Sequence, residues 1–550
     1  MLRKNIYKYL VSGFILIVFS GFFSGKEDVY FEINKNIDLF GRIYKEVTFN
    51  YVDNIDPEEF MRAGIRGMLG SLDPYTIFID ENRKEDFDLI TNGKYGGVGI
   101  SIGIRGDKVT IIEVLDGYSA QKQGLRVGDV LIEAAGEKIT PENADNISTL
   151  VKGNPGTIVN LKVLRDAGKD TLSFNLIREE VQVKSLAYYG FYPKKSNNVY
   201  LKLTNFSRSA DDEVLKALKE LESKKEIKSV VLDLRGNPGG LLDVAVDICE
   251  NFLAKNDLIV STKGRDEASK KSYSSSQDPL LGKEKLIVLI NENSASASEI
   301  VAGAIQDHDR GVILGTKSFG KGLVQTITPL DYNTSLKITT AKYYTPSGRC
   351  IQKIDYAEHN KAISEIDTVL KSSYRTEHKR LVFSAGGITP DTTVQDPVES
   401  DIVNDLLAKG MFFQFADHYY YLHPDDNFSS LSGDKLLSDF ENYLADQKYK
   451  FHSEGEQQVE QMITQLSGKN SVKPLIEDLS KVKMEFEKLG SGELKANKDE
   501  VENEIMIELA SRYKGDDGKT EESLKVDLQI QTALKILSDS LAYNKLLSPN

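Results

Sequence analysis

The sequence is poor in the residues that build metal and disulfide sites. Its 550 residues include only two cysteines, Cys249 and Cys350, and six histidines. No CxxC or HExxH pattern is present, which argues against a structural zinc site and against a zinc protease. A disulfide framework is excluded as well. One bridge remains arithmetically possible, although two lone cysteines are more often buried and reduced.

Positive charge is also in short supply. Lys and Arg number 69 against 83 Asp and Glu, which gives a net charge of -14. A polyanion is a poor partner for nucleic acid or anionic lipid, so nucleic-acid binding is disfavoured as a function. The hydrophobic share of 40% and the charged share of 28% are ordinary for folded protein, and the length predicts three or four domains.

The N-terminus has the composition of an export signal. Arg3, Lys4 and Lys8 precede residues 9–25, which carry no charge and have an apolar centre at Phe14–Phe19. This pattern is typical of a secretory signal, and the run is just long enough to cross a bilayer. Small residues are missing where cleavage would occur. We therefore expect residues 1–25 to be a signal peptide or a membrane anchor, with the uncleaved anchor favoured over cleavage. The protein should be periplasmic and contact the inner membrane only through this segment.

Hydrophobic periodicity divides the remaining chain into four regions. The first is helical, with one helix closed by Gly70, and the second alternates with period two between glycine turns. The third alternates short apolar strands with helices, as in βαβ units, and the fourth is helical and charged. We predict these regions at 26–93 (packing on the third region), 94–182, 183–400 and 401–550.

The second region resembles a PDZ domain. Residues 95–100 read Tyr-Gly-Gly-Val-Gly-Ile, and residues 124–131 read Gly-Leu-Arg-Val-Gly-Asp-Val-Leu. Backbone N–H groups can converge on a carboxylate only where side chains are absent, although glycine-rich turns also occur in other β folds. The resemblance implies a site for nonpolar substrate C-termini, formed by the peptide-binding residues Gly97, Val98, Gly99, Ile100, Ile147 and Leu150.

Five further motifs resemble those of the carboxyl-terminal processing (tail-specific) proteases, and they occur in family order. They are Asp-Leu-Arg-Gly-Asn-Pro-Gly-Gly at 233–240, Ser-Ala-Ser-Ala-Ser-Glu-Ile at 294–300, Phe-Gly-Lys-Gly-Leu-Val-Gln at 319–325, Tyr-Tyr-Thr-Pro-Ser-Gly-Arg at 343–349 and Gly-Ile-Thr-Pro-Asp at 387–391. The resemblance covers about residues 38–415. It implies a crotonase-like α/β protease core with an inserted PDZ domain, helical N- and C-terminal parts, and no metal or cofactor.

Ser296 is the candidate nucleophile. It follows an apolar strand and precedes a helical run, so its hydroxyl should be exposed at the carboxyl edge of a sheet. The free helix N–H groups, starting with Ala297, would then lie where an oxyanion forms. The resemblance implies that the Gly240 N–H is the second donor of this oxyanion hole.

Lys321 is the candidate general base. It lies between two glycines, 25 residues after Ser296, a spacing that matches the family. A free lysine has a pKa of about 10.4, so the amine must be desolvated to act as a base at neutral pH. The resemblance implies that Gln325 is the third member and orients the lysine amine.

Three features of the sequence compete with this interpretation. Ser298 is a second possible nucleophile but better suits a helix N-cap, with Glu299 in the first turn. His308 lies about three helical turns from Ser296, so we interpret it as exposed or structural. Residues 315–321 match the start of a phosphate-binding loop, but Gly322 stands where Ser or Thr is required.

The sequence therefore predicts an exported serine endopeptidase that recognises substrate C-termini and works through an acyl-enzyme. An exported PDZ scaffold with an inactive protease fold is the alternative from another class of function. An acyl-CoA enzyme of the crotonase type suits neither export nor the PDZ insertion. No motif identifies the role of residues 401–550. Their helices are expected to pack on the core, to mediate self-association or to cover the cleft, and a solvated extension is the alternative.

Overall fold

A computed structural model describes most of the chain. The described ranges are 29–80, 93–165, 170–356, 361–362, 372–384, 386–431, 433–467, 472–490 and 492–549. The predicted signal or anchor at residues 1–25 lies outside them. Within these ranges, no helix combines the length and the apolar character needed to cross a lipid bilayer. The described residues form two compact units.

The first unit contains the described residues up to Asp80 together with Gln325–Thr339. The elements before Asp80 are α1 (29–50), α2 (Pro57–Gly70) and β1 (Ile77–Ile79). The Asp56 side chain caps α2 at its start, and the helix ends at Gly70 as predicted. Strand β1 pairs antiparallel with residues 335–337. The helical N-terminal segment predicted from the sequence is thus confirmed.

The PDZ domain opens the second unit. Its elements are β2 (Lys94–Gly97), β3 (Ile100–Arg105), β4 (Lys108–Val114), α3 (Ser119–Lys122), β5 (Val130–Ala134), β6 (Glu137–Lys138), a 3₁₀ helix (Pro141–Asn146), α4 (Ile147–Val151), β7 (Ile158–Arg165), β8 (Asp170–Ile177) and β9 (Glu179–Gln182). The main sheet has the order β3-β4-β5-β7-β8, with β6 paired to β5. A separate antiparallel ribbon of β2 and β9 joins the domain to the rest of the chain.

The protease core is built on a six-stranded sheet of order β10-β11-β12-β15-β16-β23. Strands β10 and β11 are antiparallel, and the other neighbours are parallel. The elements are β10 (Leu186–Phe191), β11 (Asn198–Leu203), α5 (Ala210–Lys224), β12 (Ser229–Asp233), α6 (Leu242–Cys249), β13 (Leu258–Lys263), β14 (Lys271–Ser274), β15 (Lys285–Ile290), α7 (Ala297–Asp307), β16 (Val312–Gly315), β17 (Leu323–Pro329), β18 (Ser335–Tyr344), β19 (Ile354–Asp355), β20 (Lys361–Ala362), β21 (Ser373–Arg375), β22 (Leu381–Phe383) and β23 (Thr392–Thr393).

The sheet brings two loops to one edge. Strands β12 and β15 run parallel in register, with Asp233 opposite Leu289, so their carboxyl ends lie side by side. The loop after β12 and the loop after β15 therefore leave the sheet together. Helices α5, α6 and α7 bury one face of this sheet. The predicted α/β core is confirmed, and β15 and β16 are buried on both faces.

Nine helices follow the core in the described part of the chain. They are α8 (Asp401–Ala408), α9 (Met411–Leu422), α10 (Gly433–Asp446), α11 (Glu454–Leu466), α12 (Lys473–Gly490), α13 (Glu493–Ala496), α14 (Lys498–Val526), α15 (Leu528–Ser538) and α16 (Ser540–Leu546). Helices α8, α9, α10 and α14 share an aromatic core of their own. The last two helices instead cover the second face of the protease sheet, where Ile530 and Leu537 meet Val231 and Ile287.

Candidate active site

Ser296 lies on the turn between β15 and α7. Its backbone has φ 57° and ψ -111°, a strained conformation for a residue with a side chain. The neighbours Ala295 and Ala297 are buried, whereas Ser296 is partly exposed. The turn thus presents one hydroxyl-bearing residue at the carboxyl edge of the sheet, as the strand–loop–helix pattern predicts.

Ser298 occupies a different environment. Its side chain is fully buried, and its hydroxyl donates to the Asn237 carbonyl over 2.9 Å. The residue at the helix cap is Ser296, so the prediction that Ser298 caps the helix is wrong. The cap lies two residues before the predicted one because α7 begins at Ala297.

The loop after β12 packs against the nucleophile turn. The Ala295 N–H donates to the Asn237 carbonyl over 3.0 Å, and the Asn237 side chain donates to the Leu203 carbonyl over 2.9 Å. Gly239 has φ 99°, and a Cβ there would lie 2.6 Å from the Ala295 oxygen and 2.9 Å from the Ala297 nitrogen. Only glycine permits this approach.

The two predicted oxyanion donors lie in this contact region. Ala297 is the first residue of α7, and Gly240 follows the turn at Gly239. In the part of the chain that the structure describes, neither N–H has a protein acceptor. Unpaired N–H groups at a helix start and a glycine turn can stabilise a developing negative charge on a substrate oxygen.

Lys321 lies on the loop between β16 and β17, flanked by two tightly packed glycines. A Cβ at Gly320 would lie 2.7 Å from the Lys353 Cβ, and one at Gly322 would lie 2.9 Å from the Gln352 nitrogen. The Gly322 N–H also donates to the Gln352 side chain over 2.6 Å. These contacts place the residues before and after Lys321 against Lys353 and Gln352.

A buried carboxylate joins the nucleophile turn to the lysine loop. Oε2 of Glu299 accepts the N–H groups of Ser296 and Lys321, each over 2.9 Å. The two backbone nitrogens are therefore at most about 6 Å apart. Oε1 accepts the Ser318 hydroxyl over 2.6 Å and the Gly320 N–H over 2.8 Å. Burial raises the pKa of Glu299 to about 7, although these hydrogen bonds oppose the shift.

Sequence reasoning missed the contribution of Glu299. The Ser-x-x-Glu spacing from Ser296 to Glu299 is the signal of a capping box and could have indicated it. Tyr343 was missed as well. Its buried hydroxyl donates to the Ser296 carbonyl over 3.2 Å, its N–H donates to the Gly322 carbonyl over 2.9 Å, and burial raises its pKa. Tyr343 therefore also joins the Ser296 turn to the lysine loop.

Gln325 belongs to the first compact unit. There its Nε2 donates to the Thr339 hydroxyl over 3.3 Å, and the Thr339 N–H donates to the Thr76 hydroxyl over 3.2 Å. The Thr76 hydroxyl in turn donates to Asp73 over 3.0 Å. The role of Gln325 as a third catalytic member stays a prediction.

His308 is structural. Its Nε2 lies 2.7 Å from the Leu258 carbonyl and its Nδ1 lies 3.3 Å from Glu377, at the end of α7 opposite to Ser296. Beside it, Asp307 accepts the Ser347 N–H and the Arg349 guanidinium, the latter 1% exposed. The fourth motif therefore anchors the far end of the nucleophile helix instead of adding a reactive group.

The PDZ residues differ in exposure. Gly97 and Val98 are buried, Gly99 has φ 80°, and Ile100 begins β3 and is partly exposed. On α4, Ile147 is 2% exposed and lies in the domain core, whereas Leu150 is only partly buried. Leu150 is thus the better placed of the two to offer surface to a peptide.

Both cysteines are free thiols, and burial raises the pKa of Cys249 and of Cys350. The described side chains include no group of His, Cys, Asp and Glu arranged to hold a metal ion.

Three family models match the chain. Residues 197–361 match "Peptidase family S41", residues 110–165 match a PDZ domain, and residues 402–537 match "Probable PDZ-protease, C-terminal helical domain". The carboxy-terminal-processing protease of Bartonella bacilliformis is 36% identical over 361 residues, which is 64% of this chain and 81% of the relative.

Two further proteins are similar over most of their length. The carboxy-terminal processing protease CtpB of Bacillus subtilis is 29% identical over 403 residues, 72% of this chain and 79% of that protein. The solved structure of a photosystem II D1 C-terminal processing protease is 26% identical, with a TM-score of 0.35, and covers 67% of this chain and 96% of its own.

Proposed function

Because the chain belongs to the carboxy-terminal-processing proteases of peptidase family S41, we propose that it cleaves proteins with Ser296 as nucleophile and Lys321 as general base. The family membership makes it a serine peptidase with a PDZ domain. The observation that carries the assignment is the shared Glu299 oxygen, which accepts the N–H of both residues.

The proposed chemistry runs through an acyl-enzyme. The neutral Lys321 amine takes the Ser296 proton while the serine oxygen attacks the scissile carbonyl. The N–H groups of Ala297 and Gly240 stabilise the oxyanion, and the lysine ammonium then gives its proton to the leaving amine. Water, deprotonated by the same lysine, hydrolyses the ester. Gln325 orients the lysine amine in this proposal.

Substrate selection is assigned to the PDZ domain. Its glycine loop at 97–99 and the adjoining strand β3 suit an extended peptide with a free carboxylate, and Leu150 adds apolar surface. We therefore assign protein or peptide substrates with nonpolar C-termini. The basic start and apolar run of residues 1–25 support export to the periplasm with an inner-membrane anchor.

Self-association is assigned to the C-terminal domain. Support comes from apolar side chains that are about half exposed on α11 and α12, namely Met462, Leu475, Val482, Met484 and Leu489. Exposed apolar surface of this extent is typical of protein contacts.

One pair of substitutions tests the catalytic assignment. Ser296→Ala and Lys321→Ala should each lower cleavage of unfolded casein by about 10³-fold or more, because each removes one partner of the proton transfer. Circular dichroism should stay native. Lys353→Ala is the matched control, since this neighbouring lysine is exposed and should keep full activity. An active Ser296→Ala variant would refute the nucleophile, and an inactive wild type would favour the scaffold alternative.

A further inference from the structure

We propose that Glu299 is a positioning residue that holds the nucleophile and the general base in register. The inference rests on the proposed function of Ser296 and Lys321. It assigns to Glu299 the placement of their backbones, not contact with the substrate. Because Glu299 belongs to the helix that Ser296 caps, it couples the nucleophile helix directly to the separate loop that carries the lysine.

The four neighbours of this carboxylate all donate hydrogen bonds. Three of them are backbone N–H groups, from Ser296, Gly320 and Lys321, which cannot accept a proton, and the fourth is the Ser318 hydroxyl. The Ser318 oxygen itself accepts the Ile388 N–H over 2.6 Å, which leaves its proton directed to Glu299. An ionised carboxylate satisfies this set completely, and no other protonation state does.

Both segments need such support. Ser296 holds a positive φ that costs about 1–3 kcal/mol and persists only where surrounding contacts enforce it. The lysine loop carries glycines on both sides of Lys321, and glycine backbones have the greatest conformational freedom. A misplacement of about 1 Å between reacting groups can cost about 10²-fold in rate. The Glu299 hydrogen bonds restrict both segments at one point.

An amide cannot replace the carboxylate at this position. A glutamine side chain has one oxygen and one NH₂ group, so in either orientation the NH₂ faces at least one backbone N–H donor. If the NH₂ faces Ser318, the amide oxygen still accepts the hydrogen bonds from the N–H groups of Ser296 and Lys321. The Gly320 N–H is then left without an acceptor. Glu299→Gln thus preserves the shape of the side chain and removes the charge together with one hydrogen bond.

The test compares stability with turnover in the full chain. Glu299→Gln should lower kcat for casein by about 10-fold or more, and Glu299→Ala by about 100-fold, with KM changed less than about 2-fold. At pH 8 the melting temperature of Glu299→Gln should equal or exceed that of the wild type, because folding no longer buries a charge there. A residue with a merely structural role would lose stability and activity together.

The matched control is Glu250→Gln, which removes another buried carboxylate whose Oε1 accepts the Ser276 N–H over 2.7 Å. This variant should keep the wild-type kcat. If Glu299→Gln has the same kcat as Glu250→Gln, the inference is overturned. Ser296→Ala and Lys321→Ala, assayed in parallel, report on the proposed function separately: their activity would refute the dyad itself, and with it the inference.

Discussion

Two opposing effects act on the protonation of the Glu299 carboxyl group. Its neighbours are donors that favour the ionised form, while complete burial favours the neutral form and raises its pKa to about 7, from an ordinary value of 4.5. Of the titratable groups around it, Lys321 offers its backbone N–H, and Tyr343 has its own pKa raised by burial. The negative charge on Glu299, which joins the Ser296 turn to the lysine loop, is therefore held against a desolvation cost.

This conflict predicts how stability depends on pH. The folded protein retains the Glu299 proton up to a higher pH than the unfolded chain, so stability falls as pH rises from about 4.5 to about 7. The full shift corresponds to about 3 kcal/mol. Between pH 5 and pH 8, the wild type should lose about 2–3 kcal/mol of unfolding free energy relative to Glu299→Gln, measured by urea denaturation at both values.

A second non-titrating variant checks the cause. Glu299→Met should show the same pH-dependent gain over the wild type as Glu299→Gln, because neither side chain carries a proton to lose. A constant difference between wild type and both variants from pH 5 to pH 8 would contradict the raised pKa.

Ser296, Lys321 and the glycines around them could be predicted from the sequence because each lies in a short motif with fixed spacing. The network around them could not. Which serine caps α7 depends on where the helix starts. The predicted cap, Ser298, lies two residues after the actual cap, Ser296. The Tyr343 contact joins residues 47 positions apart, beyond the reach of local patterns.

At the scale of elements, the last helices support the loop that leads to Gly240, the proposed second oxyanion donor. Asp527 caps α15 by accepting the Ile530 N–H over 2.9 Å, and its other oxygen accepts the Arg235 guanidinium over 2.7 Å. Arg235 also pairs with Asp233 at the end of β12. The next residue, Gly236, donates to Asn291 over 2.9 Å. The C-terminal helix is thus joined to the turn that leads to Gly240.

Asp527→Asn should weaken the protease site from this distance. Asparagine still caps α15, but its NH₂ cannot pair with Arg235, which costs about 1–3 kcal/mol for a partly buried, charge-assisted hydrogen bond. We expect a lower melting temperature and a loss of casein cleavage of roughly 2- to 10-fold, since the strained glycine turn loses one support. Steady-state kinetics and thermal melts measure both effects.

The control is Asp539→Asn, at the cap of α16. Asp539 accepts the N–H groups of Leu541 and Ala542, and no ion pair is found for it among the described residues. Activity should stay at the wild-type level. Equal kinetics for the two variants would show that the Arg235 contact does not matter for catalysis.

Element types were easier to predict than element partners. The βαβ pattern and the glycine turns indicated the core and the PDZ domain because both depend on local periodicity. The spacing of Ile530, Ala533 and Leu537 is typical of a helix, but it does not show that this helix covers the protease sheet. Leu541 continues the same spacing and is nevertheless 83% exposed, because Asp539 caps a new helix there. Amphipathicity shows that a face is buried, not what buries it.

At the scale of the whole second unit, the PDZ domain is held from two sides. The ribbon of β2 and β9 connects it to the core, and α9 of the C-terminal domain meets the turn between β3 and β4. There two guanidinium groups lie over the Phe413 ring, that of Arg105 at 5.6 Å and that of Arg512, whose side chain is 5% exposed, at 4.3 Å from the ring centroid. Gly106 approaches the Lys409 carbonyl so closely that a Cβ would lie 3.3 Å from it.

This contact should restrain the strand that we assign to peptide binding. Arg105→Ala removes the PDZ side of the stack without opening a cavity in the C-terminal core, at a cost of about 1 kcal/mol. Hydrogen exchange across residues 100–114 should then become roughly fivefold faster, while β12 in the protease core keeps its protection. Arg126→Ala is the control, because this exposed arginine of the same domain is not one of the two whose guanidinium groups lie over Phe413. Equal exchange in the two variants would mean that α9 does not restrain the PDZ domain, and that the ribbon of β2 and β9 alone sets its mobility.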